Sequence, residues 1–273
     1  MSPNPELSNR GGVPILESPK RDSAVKSLHK ALDLLNYMGR QRHAVGVTEL
    51  ANEMDLNKSV VHRLLQTLEA TGFVVKNPAT RQYFLGPRLF VLGKVYENTV
   101  TLRGLARPVM ERLARQMGEA VHLMVPAPPE EGLPSIILLD KIESTYQLTM
   151  TPNPGAVSPA HCTAGGKVLL AYAMADALAA LHEAPLPKHT EHTITDPGAL
   201  RAELAQIRAI GHAVDREELE IGLTCIAAPV FDGEKAVAAI SISGPSSRMG
   251  ADRLEMARTA VAAAAGEIRN LLR

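Results

Sequence analysis

The chain has 273 residues, with 29 Lys+Arg against 29 Asp+Glu, 45% hydrophobic and 3% aromatic residues, two Cys and no Trp. That length suits one large or two ordinary domains with real cores, and the balance of apolar and charged residues excludes a disordered or collagen-like chain. Two Cys cannot form a disulfide framework, no apolar run is long enough to span a membrane, and the start lacks the apolar segment of a secretory signal, so a cytoplasmic protein is expected. The zero total charge is unevenly spread: residues 1–90 carry 12 basic and 8 acidic side chains, and residues 91–273 carry 17 and 21. A mildly basic front and a mildly acidic back fit two modules with different partners, although an excess of this size is also common in ordinary domains.

Residues 1–22 are rich in Pro and Gly without an apolar period and are expected to be a disordered tail. From Ser23, a candidate N-cap, Val25, Leu28, Leu32 and Leu35 recur at helical spacing, and Gly39 is the expected stop. Thr48 caps a short expected helix over 49–54, the turn Asp55-Leu56-Asn57 follows, and a second helix covers Lys58–Ala70 up to Gly72. Two β-prone runs at 73–76 and 82–85 flank Asn77-Pro78-Ala79-Thr80-Arg81 and predict a hairpin. Three helices and a hairpin in this order predict a winged helix-turn-helix over 23–86, and residues 87–101 continue as a linker helix. Further on, strands are expected at 120–125, 135–142, 147–151, 224–231 and 236–243. Helices are expected at 102–117, 163–173, 176–182, 198–210 and 251–272, with the Pro-rich piece 126–134 as a loop. Strand pairs with short turns such as Asp232-Gly233 predict an α+β domain over 102–273, an antiparallel sheet flanked by helices.

The helix Lys58–Ala70 carries the sharpest functional signal. Val61, Leu64, Leu65 and Leu68 form an apolar stripe, and Ser59, His62, Arg63 and Gln66 form a polar stripe opposite it. The polar stripe holds side chains of the kinds that meet phosphates and base edges, with no acid before Glu69. Lys58 and Ser59 lie in the first turn, where free N–H groups favour a DNA phosphate, and this is the part of a recognition helix that enters the major groove. Arg81 near the hairpin tip is a further candidate for a phosphate or minor-groove contact, with Lys76 and Arg42 behind it. An ordinary amphipathic helix with a solvated face is the alternative for this stripe.

The stretches Thr48-Glu49-Leu50-Ala51, Leu56-Asn57-Lys58-Ser59-Val60-Val61-His62-Arg63 and Tyr83-Phe84-Leu85-Gly86 resemble the DNA-binding domain of IclR-type transcriptional regulators. Asp215-Arg216-Glu217-Glu218, Gly222, Cys225-Ile226-Ala227-Ala228-Pro229-Val230, Ser241-Ile242-Ser243-Gly244-Pro245 and the run from Pro159 to Lys167 resemble the effector domain of the same family. The resemblance implies a linker helix that helps dimerise and a GAF-like C-terminal domain that binds a small metabolite. It places Ala164, Gly165, Asp215, Leu223, Cys225, Ser241 and Ser243 at the effector. The residue chemistry fits: N–H groups at a helix start suit a carboxylate, and two hydroxyls at i, i+2 on one strand face meet the same ligand. The small residues Ser158 and Ala160 and the Pro-rich 151–155 depart from the family pattern and point to room for a bulkier effector such as an aromatic acid.

The expectation is therefore a ligand-responsive DNA-binding regulator, a repressor of a catabolic operon by family frequency. It would bind a small organic or aromatic acid and double-stranded operator DNA as a homodimer or tetramer, with no membrane partner, no catalytic residue, no metal and no cofactor. The competing expectation is a metabolite sensor or enzyme whose N-terminal domain makes protein contacts. His161-Cys162 with Cys225, or with His189 and His192, could be drawn as a nucleophile pair or a partial zinc site, but the spacing supplies neither a third orienting group nor a full ligand set. Gly165-Gly166-Lys167 lacks the spacing of a phosphate-binding loop.

Overall fold

The computed structural model describes residues 25–41, 43–99, 101–130, 132–146, 152–174 and 186–273. The expected tail, the cap at Ser23, Arg42, the strand over 147–151 and the helix over 176–182 lie outside them. The described residues divide after Thr99 into two compact units.

The first unit contains α1 (Lys26–Arg40), α2 (Val47–Glu53), α3 (Lys58–Ala70), β1 (Val74–Lys76), β2 (Tyr83–Leu85) and α4 (Pro87–Thr99). The strands β1 and β2 pair antiparallel with Val74 opposite Leu85, and Val45 adds a bridge to Tyr83. The core gathers Leu34 and Met38 of α1, Leu50 and Ala51 of α2, and Val61, Leu65 and Leu68 of α3 around Val45, Val74 and Tyr83. Two local expectations change. The Val25, Leu28, Leu32 stripe of α1 is at least half exposed, because the helix turns Leu34 and Met38, one turn apart, onto α3. The helix also passes Gly39 and ends at Arg40. Thr48 is not a cap: α2 starts one residue earlier, with Gly46 as N-cap donating its N–H to the Glu49 carboxylate at 3.4 Å. Along α4, Phe90, Val91, Leu92, Val95 and Tyr96 are exposed.

The second unit runs α5 (Thr101–Met117), β3 (Ala120–Glu130), β4 (Leu133–Ile142), β5 (Val157–Pro159), α6 (Ala164–Tyr172), α7 (Pro197–Ile210), β6 (Ala213–Arg216), β7 (Leu223–Asp232), β8 (Lys235–Pro245) and α8 (Ala251–Leu271). Its six strands form one antiparallel sheet in the order β5-β4-β3-β8-β7-β6. Side chains alternate across a strand, so each strand feeds two layers. Val121, Leu123, Ile226, Ala228, Ile240 and Ile242 face α5 and α8, while Met124, Ile136, Leu138, Cys225, Ala227 and Ala239 face α6 and α7.

Of the Pro-rich stretch expected as a loop, residues 126–130 and 133–134 are strand. β3 continues to Glu130 against β4, while its pairing with β8 ends at Met124 opposite Ala239. Pro126, Pro128 and Pro129 thus fall where one side of β3 is unpaired, which is where a residue without an N–H is tolerated. The short edge strands β5 and β6 were not foreseen.

Gly86 marks the start of α4. Its N–H donates to Phe73 O at 2.7 Å, and a Cβ there would lie 2.2 Å from Gly72 O and 2.8 Å from Phe73 C. Gly86→Ala is expected to destabilise the first unit by about 1–3 kcal/mol, the usual cost of forcing atoms into a packed site, measured by urea unfolding.

Candidate functional site

The first unit presents one polar helix face. On α3, Lys58, Ser59, His62, Arg63 and Gln66 are exposed, while Val61, Leu65 and Leu68 are buried and Leu64 is half-buried. The α3 N-terminus has no side-chain cap and no acid in its first turn, so its N–H groups and positive dipole end stay available to an anion. Arg63 borders the groove between α1 and α3 together with Lys26 and Lys30. Beyond α3, the hairpin turn is set by Asn77, whose side-chain oxygen accepts the N–H groups of Ala79 (2.9 Å) and Thr80 (3.3 Å). Arg81 is exposed at the end of this turn, held at φ +58°. Lys76 instead lies 5.6 Å from the centre of the Tyr83 ring.

The second unit carries a polar field on the sheet face that α6 covers. Asp215 of β6 stands opposite Cys225 of β7, which stands opposite Ser243 of β8; one step along, Ala227 stands opposite Ser241, which stands opposite His122 of β3. All of these side chains are buried. Leu223, half-buried at the start of β7, belongs to the same layer. Above them, α6 is capped by Thr163, whose hydroxyl oxygen accepts the Gly166 N–H at 3.2 Å and whose hydroxyl donates to Pro159 O at 3.0 Å. The first-turn N–H groups of Ala164 and Gly165 have no acceptor within the helix. Gly165 packs closely on β3: a Cβ there would lie 2.5 Å from Met124 Sδ, so the flexible Met124 side chain would have to move. The structure thus gathers Ala164, Gly165, Asp215, Leu223, Cys225, Ser241 and Ser243 around one layer of the fold.

The electrostatics of that layer follow from burial. Burial pushes the Asp215 carboxyl up to about 7, although its Oδ1 accepts the Glu218 N–H at 2.8 Å. Burial and then the nearby Lys141 bring the His122 imidazole down to about 4, leaving it uncharged at neutral pH. Its Nδ1 lies 3.2 Å from Ser243 Oγ.

Residues 27–78 match the family described as the IclR helix-turn-helix domain, and residues 95–270 match the bacterial transcriptional regulator IclR C-terminal family. This chain belongs to the IclR family. It is 36% identical to the HTH-type transcriptional regulator BhcR of Paracoccus denitrificans over 89% of this chain and 86% of that one. It is 32% identical to the transcriptional repressor IclR of Escherichia coli over 97% and 96% of the two chains. The crystal structure of an IclR regulator from a Silicibacter species superposes with a TM-score of 0.80 at 30% identity, covering 90% of this chain and 96% of that one. An IclR homologue from Microbacterium hydrocarbonoxydans, solved in complex with 4-hydroxybenzoate, shares the fold with a TM-score of 0.70 at 24% identity, over 89% and 99% of the chains. The protein is accordingly a helix-turn-helix transcriptional regulator. No helix among its described residues is long and apolar enough to cross a membrane.

The thiols of this regulator are poor nucleophiles. Burial raises the Cys162 thiol to about 12 and pushes Cys225 up as well, so both stay protonated at neutral pH. Among the described residues, His161, Cys162 and His189 bring ligand atoms within 4.8 Å of one another, whereas His192 lies beside Glu191 and Glu217. His161 Nε2 is 3.0 Å from Pro187 O, and the trio has no fourth ligand among these residues. Lys167 serves the core: it is buried, its ammonium donating to Val214 O at 2.7 Å and to the carboxylates of Glu203 and Glu218.

His122, Lys26 and Lys30, which lie on these two faces, were not singled out from the sequence. His122 was legible in principle, since it interrupts the face of β3 that continues to Met124 while Val121, Leu123 and Val125 alternate with it. The two lysines lie on α1, whose apolar stripe drew attention to the other residues.

Asp215 gives this layer a pH signature. Its folded pKa lies above the unfolded value, so its favourable contribution is complete below about pH 4 and is lost as pH rises toward 7. Asp215→Asn keeps an acceptor for Glu218 N–H without the charge. The variant is expected to match the wild type near pH 4 and to exceed its stability at pH 8 by up to about 4 kcal/mol, read from denaturant unfolding across pH.

Proposed function

We propose that this regulator is a cytoplasmic repressor of a catabolic operon, released or retuned on its operator by a small organic or aromatic acid. The observation that carries the reading is the α3 face, where Lys58, Ser59, His62, Arg63 and Gln66 stand together in solvent opposite a buried apolar stripe. That division matches a recognition helix whose N-terminal half enters the major groove while Arg81 of the wing reaches the backbone or the minor groove. Lys26 and Lys30 beside Arg63 add charge suited to the phosphates.

In this reading residues 23–86 form the DNA-binding domain, 87–101 the linker helix and 102–273 the GAF-like effector domain. The exposed Phe90, Leu92, Val95 and Tyr96 of α4 serve dimerisation, and paired dimers give a tetramer. A dimer places its two recognition helices in major grooves about 34–36 Å apart on a pseudo-palindromic site. The effector carboxylate lies at the Ala164 and Gly165 N–H groups, with Asp215, Leu223, Cys225, Ser241 and Ser243 around the rest of the molecule. The 4-hydroxybenzoate complex of the fold relative and the small side chains at Ser158 and Ala160 support an aromatic acid. The regulator performs no chemistry on its ligand in this reading. The alternative of an enzyme or sensor with a protein-binding N-terminal domain gains nothing from the two protonated thiols.

Arg63→Ala tests the assignment by mobility shift on the intergenic DNA beside the gene at stated salt. The wild type is expected to give a specific band at nanomolar concentration. The variant is expected to lose that band and to unfold at the wild-type temperature. Unchanged affinity with an unchanged salt dependence removes α3 from the interface. Calorimetry with short oxo acids and aromatic acids tests the effector class, and tight binding of two- and three-carbon acids alone overturns the aromatic assignment.

A further inference from the structure

We propose that His122 is the residue that selects the effector, engaging an uncharged hydroxyl or oxo group of an acid whose carboxylate is held at the α6 N-terminus. The proposal rests on the reading of this sheet face as the effector pocket and adds a contact that reading does not contain.

The first observation is an orphaned atom. His122 is 7% exposed, and its Nε2 is wholly buried with no hydrogen-bond partner among the described residues. A buried donor or acceptor left unpaired is costly, and each such group in a folded protein calls for an explanation. The second observation is position. His122 stands opposite Ser241 and beside Ser243, the two hydroxyls already placed at the effector, and Met124 two residues along the same strand face lies against Gly165 of α6. The orphan therefore sits on the face that α6 covers. The third observation is constraint. Ser243 Oγ at 3.2 Å from Nδ1 fixes the ring, so Nε2 is held ready and binding costs little ordering.

The chemistry of the partner follows from the surroundings. The ring is uncharged at neutral pH, so one of its nitrogens donates and the other accepts. Ser243 can take either role toward Nδ1, and a ligand hydroxyl can take the complementary role toward Nε2 in both cases. A ligand oxo group serves when Nε2 carries the hydrogen. Lys141 stands opposite His122 on β4, paired to Glu143 at 2.7 Å, and it disfavours a cationic group at the same place. A site built to hydrogen-bond a substrate hydroxyl discriminates strongly against the analogue that lacks it, because the buried group is then left bare.

Calorimetry on the full-length protein with matched acids tests this: benzoate against 4-hydroxybenzoate, and propionate against lactate and pyruvate. The wild type is expected to prefer the substituted member of at least one series by about tenfold or more. In His122→Leu that preference is expected to fall to within about threefold, with the unsubstituted acid binding as before, and His122→Gln is expected to restore part of it. The ligand-free His122→Leu protein is expected to unfold close to the wild-type temperature, since the orphaned nitrogen goes together with the Ser243 hydrogen bond. Preference unchanged in His122→Leu overturns the role of His122 while leaving the pocket reading intact. A fall of several degrees in the ligand-free variant's unfolding temperature makes His122 a structural residue and also overturns the proposal. Binding of none of these acids to the wild type defeats the pocket reading and this inference together.

Discussion

The second unit depends on the two-residue alternation of a sheet that is covered on both faces. Each strand of β3, β7 and β8 must satisfy two different neighbours with alternate residues, and a slip of one position would exchange them. Toward α5 and α8 the alternation delivers a mainly apolar layer, with Thr224 of β7 on the same face and Asp140 of β4 paired to Arg103 and Arg107 of α5. Toward α6 it delivers His122, Asp215, Cys225, Ser241 and Ser243 among aliphatic neighbours. The register of β3 on β8 and of β8 on β7 is thus what assembles residues more than a hundred positions apart into a single polar field.

The first unit solves a similar problem with a helix. The α3 sequence separates its apolar and polar residues by about half a turn, and the turn chemistry on either side fixes where it begins and ends. Local signals decide this element, which is why its limits and its two faces were legible from the residues alone. The hairpin was legible for the same reason, since Asn77 and Pro78 impose a turn whatever surrounds them. The apolar stripe of α1 misled because periodicity says that a face exists but not which face meets the core. Leu34 and Met38, the buried pair, are separated by a single helical turn and carry no longer repeat.

In the second unit the long central strands and the described helices were legible, and the edges were not. β5 and β6 have three and four residues, too short for any alternation to show, and they exist because neighbouring strands offer open ladders. The prolines of β3 pointed to a loop because a sequence cannot reveal that one side of that strand has no partner. On the sheet face under α6, the α6 start and the two serines came from the family resemblance, with helix-start and strand-face chemistry in agreement. The place of Asp215 came from the same resemblance, and its raised pKa is a product of burial that only tertiary structure creates. Lys167 illustrates the same limit: beside two glycines it invites a phosphate reading, yet its ammonium is enclosed by Val214, Glu203 and Glu218.

The approach of Met124 to Gly165 has a consequence for evolution of the fold. A thioether on an unbranched stem is a compliant filler, able to swing between rotamers where a Val or Ile could not. Placed under a bare Cα, it lets the packing of α6 on the sheet adjust without any change in helix or strand. A single substitution at this contact can therefore reset the spacing between helix and sheet, while the rest of the scaffold stays as it is.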